Sequence, residues 1–532
     1  MYYILYLTSL CRRRNWPEPI YNAYISNSGY TCTVRVNNRE YRTDSICSNE
    51  TLARESAAMR AYLICRNFSV NDGMYPAGHE HGGAMQGLRV AIGAGRKIAR
   101  EDDVLSLGSG AFNKIYNVSI DNEPFIVRVS LPVDPRYKLT SEVATMDWVR
   151  HVTSLPIPRI IAYQPSRDNP IGFEWMLMTK MPGKPFGEIW KSLSFAMKAC
   201  LIRELAASSA CLFRNQLRGI GNIYGETSVV DNSTPSEQIL PPRELINTKI
   251  SVPAKGSAPN AGSSPTTKNS GALLFNPPDN GSPAGALPDV GRIVSMLFFW
   301  DSHIHQDIPR GPFRSSKDWI TARLSFNEND CHSALNKHSA GDLDSDAEDE
   351  VDVAKRTLKI IDNLKSLLPL VFPTDDDDDS EPSMIFHTDL SRHNILVDEN
   401  GKMTGVLDWE CVSAVPLWKA CSYPSFLEER PRRLEPKTEE YAPEDTGEPS
   451  EVYFEHLWQY EATLLRDIFI DEMRKLDPGW VEVFDKSQVK RDFDYAAAYC
   501  DSWISARDIE AWIGDITTDM NNARSLGDRI WS

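Results

Sequence analysis

The stretch from Ile385 to Glu410, IFHTDLSRHNILVDENGKMTGVLDWE, constrains this chain more than any other. Asp389 and Asn394 stand five residues apart in the pattern His-x-Asp-x-x-x-x-Asn. Apolar Ile395, Leu396 and Val397 run into Asp398-Glu-Asn-Gly401, a Gly-containing turn, and Met403 to Leu407 returns. A hairpin of that length brings Asn394 and Asp408 to one end, where two oxygen ligands can share one hard divalent cation. Asp389, just outside that pair, is left to orient or deprotonate an attacking hydroxyl, as phosphoryl transfer from ATP requires. The bland alternative, a surface hairpin with incidental acids, needs three spacings and a turn to coincide by chance.

Composition narrows the partners. The net charge of −17 over 532 residues argues against nonspecific nucleic-acid binding, which needs basic patches. Much of the acid lies in Gly341–Asp352, Asp375–Asp379 and Glu428–Glu451, read as solvated loops. The ten cysteines are scattered without a C-x-x-C pair, so neither a zinc site nor a disulfide framework is indicated. A reducing compartment, the cytoplasm, is the default. The opening MYYILYLTSLCRRR carries an apolar run of about ten residues, against the ~20 needed to span a bilayer. Its basic residues follow the apolar run, the wrong order for a secretory signal, and Arg12–Arg14 leave a mitochondrial presequence as the alternative. No membrane partner is expected.

The chain is long enough for two or three domains. Residues 1–99 show little pattern and are read as an extension of uncertain order. A small lobe is expected over 100–182, and a mostly helical large lobe over 183–532. In the small lobe, Leu105 to Phe112 reads as a strand ending in a Gly-rich turn, and Lys114–Ile120 and Phe125–Val129 as strands. Leu139, Val143, Met146 and Val149 recur at helical spacing, and Pro156 and Pro158 stop that helix. Strands at Arg159–Tyr163 and Phe173–Met178 end in Lys180-Met-Pro-Gly183, a hinge candidate. Helices are expected at about 193–215, 352–369, 452–475 and 486–515. The stretch 227–290 is rich in Ser, Pro, Gly, Asn and Thr, and its centre, Ser251–Pro288, reads as a flexible insertion.

Gly108-Ser109-Gly110-Ala-Phe112 is a phosphate-covering loop candidate, with Phe112 closing over the phosphates. By itself such a Gly-x-Gly is weak, and an ordinary hairpin turn is the favoured reading. Its position argues otherwise, because a strand bearing Arg128, a helix bearing Glu142, a hinge and the distal acid cluster follow in order. Residues 104–182 and 384–410 together resemble the aminoglycoside phosphotransferase-like enzymes, especially their fungal branch. The motifs are LGSGAFNKIY, FIVRVSLP, SEVATMDWVR, LPIPRIIAY, WMLMTKMPGKP, FHTDLSRHNILV and GVLDWE. Phe298-Phe-Trp300, Arg310-Gly-Pro-Phe313 and Pro416-x-Trp418 also look like that branch. The resemblance implies an α+β, protein-kinase-like two-lobe fold: a small antiparallel-sheet lobe and a mostly helical large lobe. It implies Asp389 as catalytic base, Asn394 and Asp408 as Mg²⁺ ligands, and backbone near Thr179–Met181 holding the adenine of ATP.

One departure is Arg128, where many relatives carry Lys. Its planar fork can bridge phosphate and Glu142, but it is bulkier and differently aimed. The competing reading makes it a structural ion-pair partner in a nucleotide-binding pseudokinase or scaffold, with Lys114 a remote substitute cation. A protein kinase is the third reading. Tyr441-Ala-Pro-Glu444 spells a familiar activation-segment ending, but it lies in a charged stretch that looks solvated. Ser391 stands where Ser/Thr protein kinases put Lys, and Trp409-Glu410 replaces Phe-Gly. A small-molecule hydroxyl is therefore the expected acceptor. Asp301-Ser-His-Ile-His305-Gln-Asp307 offers a second metal site only if a third ligand converges, and surface polarity is the alternative. The Asp375–Asp379 run should lie at least ~13 Å from Asp389, since a strand advances ~3.3 Å per residue.

Overall fold

The computed structural model describes residues 112–120, 123–225 (apart from 168 and 170–172), 288–339 (apart from 301–302), 347–373, 379–442 and 449–530 (apart from 521), with the strand at 104–109 and pieces between 4 and 61. The centre of the expected insertion, Ser251–Pro288, falls outside them but for its last residue, as do Gly110, Asp375 to Asp378 and Pro443 to Glu448.

Near the N-terminus, β1 (Ile20–Ser26), β2 (Gly29–Val36) and β3 (Arg39–Arg42) form an antiparallel meander, with Ile20 opposite Arg35 and Val36 opposite Arg39. The reading of this stretch as unpatterned misses a period of two. From Thr31 to Val36 every second residue, Cys32, Val34 and Val36, is buried. These share a small core with Leu7, Cys11, Ala53, Ala57, Ala58 and Ala61.

The second sheet has five antiparallel strands. β4 (Val104–Ser109), β5 (Asn113–Ile120) and β6 (Glu123–Ser130) precede helix α1 (Tyr137–Val152), and β7 (Ile160–Gln164) and β8 (Glu174–Thr179) follow it. The order across the sheet is β4-β5-β6-β8-β7. Alternation assigns its two faces. Val118, Val127, Trp175 and Leu177 cluster on one, whereas Met176 and Met178 meet Leu139 and Val143 of α1 on the other. Each such side chain contributes about 1.5–3 kcal/mol when fully buried. Met146 and Val149, two turns further along α1, join the core of the large lobe. One helix thus packs into both lobes.

At the hinge Gly183 has φ +101°, and a Cβ there would lie 2.3 Å from Thr404 Oγ1 and 2.7 Å from the Val397 carbonyl oxygen. The Thr404 hydroxyl donates to the Pro182 carbonyl at 2.7 Å. Directly after the hinge, β9 (Lys184–Pro185) pairs antiparallel with the strand that carries Leu396 and Val397.

In the large lobe α2 (Phe195–Arg214) starts where Ser194 Oγ accepts the Met197 N–H. Two short strands, β10 (Leu217–Arg218) and β11 (Asn222–Ile223), lead to the expected insertion, and β12 (Val290–Gly291) pairs antiparallel with β11 on the far side of it. Then come α3 (Ser316–Ser339), α4 (Ala347–Val371), β13 (Pro382–Phe386), β14 (Ile395–Val397), β15 (Met403–Val406) and β16 (Ser413–Pro416). Five helices follow toward the end of the described residues: α5 (Glu451–Leu476), α6 (Pro478–Lys486), α7 (Gln488–Ala498), α8 (Ala506–Asp519) and the short α9 (Leu526–Ile530).

Helix α3 is absent from the sequence reading. Its polar second half, Asn327 to Ser339, dilutes the stripe of buried Trp319, Ile320, Leu324 and Phe326 that holds it to the core. The helix expected over 486–515 is two helices broken at Tyr499–Ser505. There Ser502 Oγ accepts the Ser505 N–H, a local bond that competes with the helical ladder. No described helix is long and apolar enough to cross a membrane.

Candidate active site

Three elements deliver the acid cluster. β13, buried at Met384 and Ile385 between β10 and β16, ends just before an irregular loop on which Asp389 stands exposed. The β14–β15 hairpin then forms as the sequence indicates, with Ile395 opposite Val406. Its turn is built by Asp398, whose Oδ1 accepts the N–H groups of Asn400 and Lys402 at 2.9 and 3.0 Å. The Leu407 N–H donates to the Asn394 carbonyl at 2.8 Å, so Asn394 and Asp408 meet at the open end. The Asn394 amide donates to Asp389 twice, at 2.8 Å to its carbonyl and 3.1 Å to Oδ2. That bond turns the amide nitrogen toward Asp389 and leaves Asn394 Oδ1 for another partner. Asp408 has φ +61°, a left-handed conformation that Asp tolerates better than bulky residues.

The small lobe supplies the cations. Arg128 on β6 lies opposite Ile115 and Met176, on the sheet face covered by α1, where its guanidinium pairs with Glu142. Its Nη1 also stands 3.9 Å from Asp408 Oδ1. Lys114 does not share this position. It pairs with Val129, one residue out of step with the Ile115–Arg128 pair, and so projects from the opposite face. The sequence reading of Lys114 as a substitute cation is corrected by that register.

Two further residues belong to the site and were not singled out from the sequence. Lys138, buried on α1, forms an ion pair with Glu410 at 2.5 Å. Asn113 Nδ2 donates to Glu410 Oε2 at 2.7 Å, while its Oδ1 accepts from Ser130 Oγ at 2.8 Å and from Lys138 at 3.4 Å. The only sequence signal was the spacing of Lys138 and Glu142, four residues apart on one helical face. The two acids of the Asp-Trp-Glu motif then diverge. Burial raises the pKa of Asp408, and Glu410 adds to this against the opposing pull of Arg128 and Lys138. Burial also opposes ionisation of Glu410, but Lys138 and then Arg128 overcome it, and its pKa falls.

The Gly-rich loop departs from expectation. Gly108 and Ser109 lie within β4, paired with Ile115 and Lys114 after a register shift at Ser106/Gly108. Phe112 is buried rather than poised over a ligand, and its ring meets Phe299 edge-on at 5.4 Å beside Val294. An aromatic ring gains more by filling that apolar niche than by facing solvent over a phosphate site. Thr179 ends β8. Its N–H goes to the Arg159 carbonyl and its hydroxyl accepts the Arg159 N–H, at 3.0 and 2.9 Å. Met181 follows at the hinge.

The remaining motifs resolve structurally. Trp409, in place of Phe, is buried, with Nε1 donating to the Val406 carbonyl and its ring edge-on to His387 at 4.9 Å. Tyr441 packs on Tyr453 and His456, and Pro443 and Glu444 lie outside the described residues. Of the segment Asp301 to Asp307, Asp301 and Ser302 lie outside the described residues, and His303 is engaged by protein. His303 is buried, 2.7 Å from Asp330 Oδ2 and 2.6 Å from the Leu297 carbonyl, and stacks on Phe326. No group of three or more His, Cys, Asp or Glu suited to a metal occurs among the described residues.

The residues fit a nucleotide with a divalent cation. Two cations, Arg128 and Lys138, face three carboxylates, Glu142, Asp408 and Glu410, so the pocket carries surplus negative charge before Asp389 is counted. Arg128 Nε is buried without a hydrogen-bond partner, an orphan donor that an anionic oxygen would satisfy.

The sequence pattern of the phosphotransferase enzyme family (APH) matches residues 103–216 and 305–419, the two segments that carry this site. A subtelomeric hrmA-associated cluster protein of Aspergillus fumigatus is 31% identical over 125 residues, 23% of this chain and 25% of its own. The mitochondrial protein named altered inheritance of mitochondria protein 9, from Debaryomyces hansenii, is 26% identical over 156 residues, 26% of this chain and 25% of that one. The chain thus spans about a quarter of the length of these fungal relatives. The solved structure of aminoglycoside phosphotransferase APH(4)-Ia covers 84% of this chain and 96% of its own at 12% identity, with a TM-score of 0.34 too low to bear argument. On the matched pattern and the fungal relatives, the two segments that carry the site, 103–216 and 305–419, belong to the phosphotransferase enzyme family.

Proposed function

We propose that this protein transfers the γ-phosphoryl group of ATP, with Mg²⁺, to a hydroxyl of a small molecule. The observation that carries this reading is the meeting of Asp389, Asn394 and Asp408 from the large lobe with the Arg128–Glu142 pair from the small lobe.

Asp389 has the exposure an incoming hydroxyl needs, and the Asn394 amide holds its carboxylate in place. It orients the acceptor and takes its proton as the oxygen attacks. Asn394 through Oδ1 and Asp408 through its carboxylate are the residues that would hold magnesium, which when bound offsets phosphate charge. Arg128, braced by Glu142, offers the unpartnered Nε to a phosphate oxygen. Gly108 and Ser109, at the end of β4, bring backbone close to the phosphates, and Phe112 is anchored on Phe299; Gly110 lies outside the described residues. Because the Thr179 N–H is taken by Arg159, adenine falls to the backbone of Lys180 and Met181.

Asp389→Asn tests the assignment. Turnover should fall about a hundred-fold or more, the scale of lost general-base catalysis, while ATP affinity by calorimetry holds. Unchanged turnover would overturn it. A second reading, a nucleotide-binding scaffold, is favoured by one observation: the Arg128 guanidinium is already engaged by Glu142 and close to Asp408. ATP binding without consumption, across a screen of hydroxylated metabolites, would select it. For the compartment we read cytoplasm, the default for ten cysteines scattered without a C-x-x-C pair. The names of the yeast relatives favour the mitochondrion instead, and fractionation of the full-length protein decides.

A further inference from the structure

Helix α1 carries two charged residues on the face it turns to the site, and the phosphotransfer reading uses only Glu142. The other, Lys138, is oddly placed if it serves stability alone. It lies in the first turn of a helix that has no acidic residue in that turn, where the helix dipole disfavours a cation. Its side chain is only 2% exposed, so its ammonium must be fully compensated by protein. The compensation comes from Glu410, 2.5 Å away on a segment 272 residues later (410 − 138), and from Asn113 Oδ1 at 3.4 Å.

The segment it grips is unusual. Asp408 and Cys411 have φ +61° and +59°, both left-handed and neither glycine, with Trp409 and Glu410 between them. Such backbone persists only where surroundings over-determine it. Trp409 is fixed by burial and by its bond to the Val406 carbonyl. Glu410 is fixed by Lys138 and Asn113, one on α1 and one on β5. The turn that carries the Asp408 carboxylate is therefore held from below by the large lobe and from above by the small one.

We propose that Lys138 is a positioning residue of the site: by clamping Glu410 it holds the Asp408 turn in its left-handed form and keeps that carboxylate aimed where the divalent cation binds. Helix α1 then sets two partners at once, Arg128 through Glu142 and Asp408 through Lys138 and Glu410. Residues that orient a metal ligand without touching the metal commonly matter this much. The inference rests on the phosphotransferase reading given above.

The test uses full-length protein, Mn²⁺ as the metal probe and a non-hydrolysable ATP analogue. Lys138→Met should weaken Mn²⁺ binding in the ternary complex by about tenfold or more, by electron paramagnetic resonance, and shift metal-free analogue affinity less than about twofold. Because Lys138→Met strands a buried carboxylate and can unfold the lobe, the double variant Lys138→Met/Glu410→Gln carries the decision. With both charges gone, its denaturation midpoint should return toward wild type, while its Mn²⁺ affinity stays low. Wild-type Mn²⁺ affinity in the folded double variant would overturn the proposal and leave the Lys138–Glu410 pair a structural one. If wild-type protein binds neither analogue nor Mn²⁺, the phosphotransferase reading itself fails and takes this one with it.

Discussion

Replacing Arg128 by Ala separates what its guanidinium does for the fold from what it does for nucleotide. The Glu142 side chain is 1% exposed and that of Arg128 7%, so the stranded carboxylate would have no water to turn to. Breaking a buried pair from one side costs about 3–5 kcal/mol, and that is the destabilisation expected of Arg128→Ala. Asp408 adds little, since its contact is longer, at 3.9 Å, and its side chain is 39% exposed. The double variant Arg128→Met/Glu142→Met should recover most of the loss, because neither charge remains to be desolvated. Nucleotide affinity should not recover with it. Every variant without the guanidinium should bind ATP about 1–3 kcal/mol more weakly, the scale of one charge-assisted hydrogen bond. Urea unfolding followed by tryptophan fluorescence reads the first quantity, and calorimetry at fixed magnesium reads the second. A stability loss below about 1 kcal/mol in Arg128→Ala would refute the burial argument, since that is the range of exposed pairs. Wild-type ATP affinity in the double variant would remove Arg128 from the nucleotide site.

Two further perturbations test the frame around the site. Burial raises the pKa of Glu174 to about 7, against the pull of the Arg136 N–H it accepts and of Lys138 and Arg167. The folded state therefore keeps a proton that the unfolded chain releases above pH 4.5, so stability should fall as pH rises from about 4.5 to 7 and level off above. Glu174→Gln keeps the acceptor oxygen and should flatten that slope, gaining up to about 3 kcal/mol over wild type at pH 8; an unchanged slope in pH-dependent denaturation would reject the assignment. Gly183→Ala should cost at least ~1–3 kcal/mol, because its φ of +101° and the 2.3 Å approach of Thr404 Oγ1 leave a Cβ no room. A wild-type melting profile for that variant would show that the hinge relaxes freely.

Much of the site was legible because its spacing is local. Asp389, Asn394 and Asp408 fall within twenty residues, and a turn closed by Asp398 and Gly401 is enough to bring them together. The α1 stripe of Leu139, Val143, Met146 and Val149 was legible for the same reason. What escaped depends on contacts far apart in sequence. Nothing near Glu410 announces that Lys138 and Asn113 will close on it, and nothing near Phe112 points to Phe299. Lys114 was misjudged because a single strand shows which residues alternate but not which face meets the helix. Helix α3 and the N-terminal meander were lost to composition: polar residues crowd the apolar stripe in one, and Thr and Arg interrupt Cys32, Val34 and Val36 in the other.

Helix α1 is also bound from a third side, and this limits how the site can move. Asn222, fully buried, donates to Ser141 Oγ on α1 at 3.4 Å and to the Val412 carbonyl at 3.0 Å. Its Oδ1 accepts from the Val294 N–H and from Ser413 Oγ, at 2.7 and 2.8 Å. Arg292 pairs with Asp134 at 2.6 Å just before the helix begins, and lies over the Tyr137 ring at 4.0 Å. Swinging α1 away from the acid cluster would thus break the Lys138–Glu410 and Asp134–Arg292 pairs and the Asn222–Ser141 bond. Each buried group left unsatisfied costs about 1–3 kcal/mol, and each broken buried pair more, so the sum rivals the whole stability of a typical domain. Any opening of the cleft should therefore fall at the hinge at Pro182–Gly183, with α1 fixed as the reference against which both lobes are set.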